Sequence, residues 1–257
     1  MKIIVVIDET PYYHPKFMQD IIDVLGDKIV GVALVTKIPK KHSLAKSLIN
    51  QIYLFRLTEV LKIFRKNLCI FRDYLLQKEE RTHYRVKSIL RKNSIPFICV
   101  ENNINKKKYI DWLQARSPDV LFSSCTLYFR EEILGLPKLC CLNRHAAHLP
   151  SYKGVWAIFH AYRNKEKTIG SSIHKMTLKI DGGEVVAQKI YSLNRSMSID
   201  DLYRQSYSFA VKLLLEALKN LQEPSYQAPA ASVKDSYYSF PTKEQVLEFR
   251  ELKGKFI

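Results

Sequence analysis

Short apolar runs alternate with helical patterns at the start of the chain. The segment Lys2–Ile7 is rich in branched apolar residues and suits a buried strand, and Ile29–Val35 repeats that character. Between them, Pro15–Leu25 has the composition and spacing of a helix. This β-α-β order is typical of a parallel sheet.

The same rhythm returns in the second half of the chain. The Asp181–Gly182–Gly183 turn is expected to join two paired strands, and Ser198 or Asp200 to cap the last long helix. The predicted strands are Pro96–Val100, Val120–Ser124, Leu139–Asn143, Ser171–Leu178 and Glu184–Ile190. The predicted helices are Lys107–Arg116, Trp156–Arg163 and Ile199–Leu221.

A long helical segment, residues 43–92, interrupts this rhythm. From Ser43 to Gln77 the sequence contains neither Pro nor Gly, and a second helical stretch covers Thr82–Lys92. Large apolar residues recur at helical spacing: Leu57, Leu61, Phe64, Leu68, Phe71 and Leu75. We expect a helical insertion packed on the core. A second hypothesis is that the basic, apolar segment 43–77 docks on an anionic membrane surface or a partner.

The end of the chain differs from the rest. Residues 224–233 are rich in Pro, Ala and Ser and are expected to form a linker. The tail that follows, Tyr237–Ile257, contains a helical piece within Pro241–Gly254. We therefore predict one α/β domain over residues 1–222, with a mostly parallel sheet, and a linker with a short extension over residues 223–257.

Composition limits the class of protein. Hydrophobic residues make up 47% of the 257, so a sizeable core can form. A net charge of +16 favours anionic partners without choosing among phosphate-bearing substrates, nucleic acid and membranes. The five cysteines match no zinc-site spacing, so we expect a reducing compartment and a cytoplasmic location. No uncharged apolar run is long enough for a signal peptide or a membrane-spanning helix.

Candidate chemistry follows the strand Leu139–Asn143, where the sequence reads CLNRHAAHLPSYKG. The carboxyl ends of parallel strands are where open α/β sheets bind ligands. Asn143 and His145 are two residues apart, so in extended chain their side chains point to the same side. An amide beside an imidazole can stabilise a developing oxyanion.

A carboxylate completes the candidate site. Asp181 precedes two glycines in IGSSIHKMTLKIDGGEVV, and a turn there can bring its side chain back to the loop after Leu139. A nearby carboxylate raises the pKa of an imidazole, so we expect His145 to be cationic.

The segments NRHAAHLPSYKG and GSSIHKMTLKIDGG together resemble the folate-dependent formyltransferase family. That family includes methionyl-tRNA, glycinamide ribonucleotide and nucleotide-sugar N-formyltransferases. The resemblance implies a Rossmann-like domain that uses N10-formyltetrahydrofolate and needs no metal. It also implies that Asn143 binds the formyl oxygen, that protonated His145 stabilises the tetrahedral intermediate, and that Asp181 orients His145 and helps to move protons.

The resemblance further implies two loops for the pterin. They are residues 125–129 and 178–180, that is, Cys125, Thr126, Leu127, Tyr128, Phe129, Leu178, Lys179 and Ile180. His148, Tyr152 and Lys153 are candidates for binding the acceptor. The alternatives are a packing or hydrogen-bonding role for His148, loop shaping for Tyr152 and a solvated lysine at 153. For His174 a structural hydrogen bond is the preferred interpretation.

Three kinds of amine compete as acceptor. Enzymes that act on initiator tRNA carry a further C-terminal β-barrel domain, whereas only residues 223–257 follow the last long helix here. The purine-pathway enzyme has a Gly-rich phosphate loop after its first strand, where this chain reads IDETPYYHP. Elimination favours a nucleotide-linked 4-amino-dideoxy sugar, used in surface polysaccharide or O-antigen synthesis, and no nucleic-acid partner.

Other assignments stay open at this point. The segment Tyr237–Thr242 resembles tails of sugar-modifying members and is expected to add a strand or hairpin beside the substrate. A transferase acting on methionyl-tRNA or glycinamide ribonucleotide, and a formyltetrahydrofolate hydrolase, are the alternative functions. The sequence leaves a homodimer open.

Overall fold

The structure is a computed structural model that describes residues 1–37, 53–75, 85–227 and 233–257. Parts of the predicted insertion (43–52, 76–77 and 82–84) and of the predicted linker (228–232) lie outside these ranges. The strands are β1 (Ile3–Asp8), β2 (Ile29–Val35), β3 (Phe97–Val100), β4 (Val120–Ser124), β5 (Cys140–His145), β6 (Lys153–Gly154), β7 (Thr168–Lys175), β8 (Val185–Ser192) and β9 (Tyr237–Tyr238). The helices are α1 (His14–Leu25), α2 (Leu57–Leu75), α3 (Val86–Lys92), α4 (Lys107–Gln114), α5 (Glu131–Leu134), α6 (Ala157–Arg163), α7 (Ile199–Asn220) and α8 (Lys243–Glu251).

A seven-stranded sheet in the order β3-β2-β1-β4-β5-β7-β8 forms the centre of the molecule. The first five strands of that order are parallel to one another. Strand β7 is antiparallel to its two neighbours, β5 and β8. The predicted α/β fold with a mostly parallel sheet is therefore confirmed. Among the described residues, no helix is both long enough and apolar enough to cross a membrane.

The central strand β1 is buried on both faces. Ile3, Val5 and Ile7 pack with α1, α3 and α7, whereas Ile4 and Val6 pack with α4 on the other face. Because side chains alternate along a strand, burial on both faces requires an unbroken apolar run, and β1 has one.

The extension after residue 233 packs onto the domain. Phe249 and Phe256 lie with Phe159 of α6 in a second apolar cluster. Its strand β9 pairs in parallel with β6, so the predicted strand is present but forms no hairpin with its neighbour. The extension therefore lies against the loop that follows β5.

The insertion helix α2 does not pack as expected. Its large apolar side chains, at Leu57, Leu61, Phe64, Leu68 and Phe71, are exposed. The helix is fixed instead by polar contacts, from Glu59 to Arg250 and from Lys66 to Asp200. We expected a helical insertion packed on the core. The helix is present, but its large apolar side chains do not pack there. The contacts that orient it join residues far apart in sequence, which periodicity cannot indicate.

The long helix α7 begins at a capping box. Ser198 accepts a hydrogen bond from the Asp201 amide, and the Asp201 side chain accepts one from the Ser198 amide. Ser198, rather than Asp200, is the cap. Asp200 is free to accept hydrogen bonds from Arg204, one turn further along α7, and from Tyr13, which ties the segment after β1 to α7.

Candidate active site

Strand β5 presents Asn143 and His145 on one face of the sheet. The strand continues through His145, two residues beyond the predicted end, so both residues share its alternation. Arg144, between them, points to the other face, where its guanidinium carbon lies 3.6 Å from the centre of the Tyr207 ring. The predicted same-side placement of the amide and the imidazole is confirmed.

Asp181 lies where the sequence places it, in the connection between β7 and β8. Its Oδ2 atom is 3.6 Å from Nδ1 of His145, and its Oδ1 atom is 3.5 Å from Nε2 of His174. Its φ of +48° is the left-handed region, which aspartate tolerates better than most residues. The fold thus brings Asn143, His145 and Asp181 into one cluster.

A backbone amide also holds the carboxylate. The Gly154 N–H donates to Asp181 Oδ2 over 2.8 Å. Gly154 has φ +92°, and a Cβ added there would lie 2.2 Å from the carbonyl oxygen of Tyr238. Only glycine fits this position. The sequence showed a glycine in the loop but gave no sign that its amide binds Asp181.

His174 links the other members of the cluster. Its Nε2 atom is 3.2 Å from Nδ2 of Asn143, and its Nδ1 atom donates to the Lys175 carbonyl over 2.9 Å. The ring is 2% exposed and touches both Asn143 and Asp181. His174 therefore fixes the relative position of the amide and the carboxylate, which agrees with the structural hydrogen bond preferred for it.

The tautomer of His145 follows from its contacts. Its Nε2 atom lies 2.8 Å from the carbonyl oxygen of Tyr152, and a carbonyl can only accept, so Nε2 carries the hydrogen. The other nitrogen, Nδ1, faces Asp181 at a distance too long for a hydrogen bond. In the neutral ring, Nδ1 is therefore free to take up a proton.

The pKa values of Asp181 and His145 are both lowered. Burial raises the pKa of Asp181, but the lowering effects of His174, His145 and the Gly154 amide are together larger, so the pKa falls to about 2. Burial lowers the pKa of His145, and the opposing effects of Asp181 and the Tyr152 carbonyl do not make up the difference. The expectation of a raised pKa and a resting cation at His145 is wrong, because the site excludes water from the ring.

An NMR titration tests this conclusion. We expect the His145 ring to titrate below its usual value of about 6.5, and to titrate lower still in Asp181→Asn, which loses the one carboxylate facing it. The folded protein then binds fewer protons here than the unfolded chain, so this group's contribution to stability is lost as the pH falls below about 6.5. A His145 pKa above that value in the unmodified protein would contradict the assignment.

The two loops predicted for the pterin meet beside the cluster. The Tyr128 hydroxyl donates to the Leu178 carbonyl over 2.9 Å. The side chains of Tyr128, Leu178 and Ile180 are about half exposed and form an apolar rim. Leu127 and Phe129, by contrast, are buried in the core. Only their backbone is available to a ligand.

The remaining residues of these loops have separate environments. Burial raises the pKa of the Cys125 thiol to about 12, so it is protonated. The Thr126 amide and hydroxyl lie 3.4 and 3.5 Å from Asp8 Oδ1, at the end of β1. Lys179 is exposed. A role for these residues in donor binding stays a prediction.

The three candidates for acceptor binding lie in the loop between β5 and α6. Lys153 Nζ pairs with Asp235 at 2.7 Å, so its charge already has a carboxylate partner. The Tyr152 hydroxyl donates to Glu166 over 2.6 Å, and its ring stacks on Tyr238. His148 lies beside a cavity of about 50 Å³, and burial lowers its pKa. Acceptor binding by the three stays a prediction.

A larger cavity of about 360 Å³ lies at the amino end of β1, between Met1, Lys28 and Lys219, on the edge of the sheet away from Asn143. Within the described ranges, no group of three or more His, Cys, Asp or Glu side chains is placed to hold a metal ion.

Comparison with known proteins identifies a family for this chain. A family model described as formyl transferase matches residues 1–218. Methionyl-tRNA formyltransferase of Thermotoga maritima is 33% identical over 138 residues, which cover 53% of this chain and 44% of that protein. The matched part is thus less than half of that relative's length.

Two solved structures share the fold. Glycinamide ribonucleotide transformylase 1 from Symbiobacterium toebii has a TM-score of 0.59 at 16% identity, covering 91% of this chain and 94% of that one. An N-formyltransferase from Helicobacter canadensis, solved with folinic acid and dTDP-3-aminofucose, has a TM-score of 0.55 at 18% identity, covering 98% and 81%. With a family match over residues 1–218 and a shared fold, the chain belongs to the formyl transferase family.

Proposed function

We propose that this protein transfers a formyl group from N10-formyltetrahydrofolate to the primary amine of a nucleotide-linked amino sugar. The observation that carries the proposal is the cluster of Asn143, His145 and Asp181 at the carboxyl end of β5. Such a cluster provides an amide for a carbonyl oxygen, a neutral base and a fixed negative charge.

Each of these three residues has a role in the proposed reaction. Asn143 donates to the formyl oxygen, which becomes an oxyanion when the amine nitrogen bonds to the formyl carbon. Nδ1 of His145 accepts the proton that the amine loses, and Asp181 stabilises the resulting imidazolium across 3.6 Å. When the bond from the formyl carbon to N10 breaks, the same proton passes to N10 and the oxyanion returns to a carbonyl. Atoms and charge balance over the cycle.

The donor fits the apolar rim. A pterin is a flat aromatic ring, and Tyr128, Leu178 and Ile180 present exposed apolar surface beside Asp181. Backbone groups of residues 125–129 and 178–180 would bind its polar edge. The donor supplies the activated formyl group. The Helicobacter canadensis structure, which holds folinic acid, supports this choice.

The extension supports a sugar nucleotide as acceptor. Its strand β9 runs beside Gly154, and Tyr237 and Phe240 there are partly exposed. Aromatic rings in this position offer a stacking surface for a base or a sugar. The Helicobacter canadensis enzyme, whose structure holds dTDP-3-aminofucose, matches 98% of this chain in fold, which includes the extension.

A second candidate acceptor is methionyl-tRNA. The Thermotoga maritima relative is a methionyl-tRNA formyltransferase, and the net charge of +16 suits a nucleic-acid backbone. The pairing of Lys153 with Asp235 removes one cation of the catalytic loop from that role.

Lipopolysaccharide or other surface-polysaccharide synthesis is the process we infer for a sugar product.

An amine panel distinguishes the acceptors. The protein and N10-formyltetrahydrofolate are incubated with dTDP-, UDP- and GDP-linked amino sugars, glycinamide ribonucleotide and charged initiator tRNA, and mass spectrometry detects the gain of one formyl group. We expect formylation of at least one sugar nucleotide. Formylation of tRNA alone would replace the sugar by the second candidate, and formate release without transfer would indicate a hydrolase.

The compartment is a further part of this proposal. The described cysteines are all free thiols. Free thiols without a disulfide are usual in reducing compartments, so we infer a cytoplasmic enzyme. A cytoplasmic location also supplies both the folate donor and nucleotide-linked sugars.

A further inference from the structure

Helix α2 has an exposed apolar face. Leu57 is 76% exposed and Phe64 64%, and Leu61, Leu68 and Phe71 each exceed 50%. These side chains follow one another at alternating intervals of four and three residues, so they form a single stripe along the helix, about 21 Å long at 1.5 Å per residue. Monomeric soluble proteins rarely expose a contiguous apolar surface of this kind unless it binds something.

The face of α2 that points to the protein is the polar one. Glu59 is buried and pairs with Arg250, and Lys66 pairs with Asp200 at 3.2 Å. Phe256 donates its amide to Glu59 over 2.9 Å. These contacts fix the rotation of the helix about its axis. The apolar stripe therefore points outward because the polar face is bound, not because the helix is loose.

Basic side chains border the stripe on one edge. Arg65 follows Leu61 by four residues, and Arg72 follows Leu68 by four, so both lie along the same side of it. Both arginines are exposed, as is Lys62 one step further round the helix. Of the described side chains on α2, the one carboxylate is Glu59, which is buried against Arg250.

We propose that α2 docks the protein on an anionic lipid bilayer. In such docking the apolar stripe enters the boundary between headgroups and acyl chains, and the basic edge meets anionic headgroups. The charge of the edge also disfavours one pairing with a second copy of the chain. An antiparallel pairing of two α2 helices would place both basic edges on the same side, where they repel.

The position of α2 relates this surface to the active site. The Tyr12 hydroxyl donates to Asn67 Oδ1 over 3.0 Å, which holds α2 against the segment after β1. That segment lies at the carboxyl edge of the parallel strands, as does His145. Docking through α2 therefore keeps the edge that carries the active site close to the bilayer.

Vesicle co-sedimentation tests the proposal with the full chain. Two vesicle compositions are compared. One is phosphatidylcholine alone, and the other contains roughly one-quarter phosphatidylglycerol in phosphatidylcholine, which gives an anionic surface. We expect Phe64→Ser/Leu68→Ser and Arg65→Glu each to weaken binding to anionic vesicles by roughly tenfold. The matched controls are Leu247→Ser, an exposed apolar residue of α8, and Lys28→Glu at the opposite edge of the sheet, and both should bind normally.

The outcomes separate this proposal from its competitors. Equal binding to neutral and anionic vesicles, or normal binding by Arg65→Glu, would overturn it. A dimer measured by light scattering that Phe64→Ser/Leu68→Ser dissolves, without vesicle binding, would assign the stripe to a second copy instead. Arg65→Glu keeps the test valid if the double variant fails to fold. Formyl transfer to soluble amines should be unchanged in Arg65→Glu, so failure of docking and failure of the proposed reaction are distinguishable.

Discussion

Asp181→Asn should lower kcat for formyl transfer by on the order of a thousandfold, with the fold retained. The amide is neutral, so it cannot stabilise the imidazolium that forms on His145 at 3.6 Å. Its side-chain oxygen can still accept a hydrogen bond from the Gly154 N–H, which now donates to the carboxylate over 2.8 Å, so the loop keeps this contact. Single-turnover kinetics with an amine identified by the panel measures the loss.

The matched control for this variant is Asp235→Asn. Asp235 is a surface carboxylate of the neighbouring extension. It is 66% exposed, lies outside the cluster and pairs with Lys153. We expect its kcat to stay within about twofold, because exposed ion pairs contribute little. Near-normal turnover by Asp181→Asn, or an equal loss in both variants, would remove Asp181 from the mechanism.

Glu59→Ala should lower the free energy of unfolding by about 3–5 kcal/mol. Glu59 is buried and accepts hydrogen bonds from the side chain of Arg250 and from the amides of Arg56 and Phe256. Its removal leaves the Arg250 guanidinium buried without a carboxylate. Urea denaturation followed by circular dichroism measures the change.

Two further variants test the reason for this loss. Glu248→Ala removes the exposed partner of Arg163 and should cost no more than about 1 kcal/mol. Glu59→Leu/Arg250→Met removes both buried charges and should recover most of the stability lost in Glu59→Ala. A double variant as unstable as the single one would mean that packing, not the unpaired charge, causes the loss.

Acid should weaken the same contact. Burial raises the pKa of Glu59. The hydrogen bonds from Arg250 and from the Arg56 and Phe256 amides lower it by more, so its pKa lies below the usual 4.5. The stabilisation is therefore complete above about pH 4.5 and is lost as the pH falls through the lowered pKa. The difference in stability between the unmodified protein and Glu59→Ala should shrink in that range.

Much of the fold follows from local pattern. The buried run of β1 and the apolar strand β2 were predicted to within one or two residues, because a strand covered on both faces must be apolar throughout. The two-residue alternation of β5 is enough to place Asn143 and His145 on one side. The assignment of Asp181 needed the resemblance to a family as well, since no periodicity relates strand β5 to the distant connection between β7 and β8.

Other features depended on contacts that a linear pattern does not contain. The pKa of His145 depends on whether burial or Asp181 has the larger effect, and burial is a property of the packed site. The Gly154 amide reaches Asp181 only through the turn of its loop. The presence of helix α2 could be predicted, but its rotation could not.

By itself, then, the sequence determined the parallel sheet, the same-side pair Asn143 and His145, and the amphipathic character of α2. Tertiary structure decided that the pKa of His145 is lowered, and it decided the direction in which α2 faces. Arg250 and Asp200 bind the polar side of that helix, although they lie 191 residues from Glu59 and 134 from Lys66. Periodicity defines two faces of a helix, and only the partners that the fold brings to it decide which face is buried.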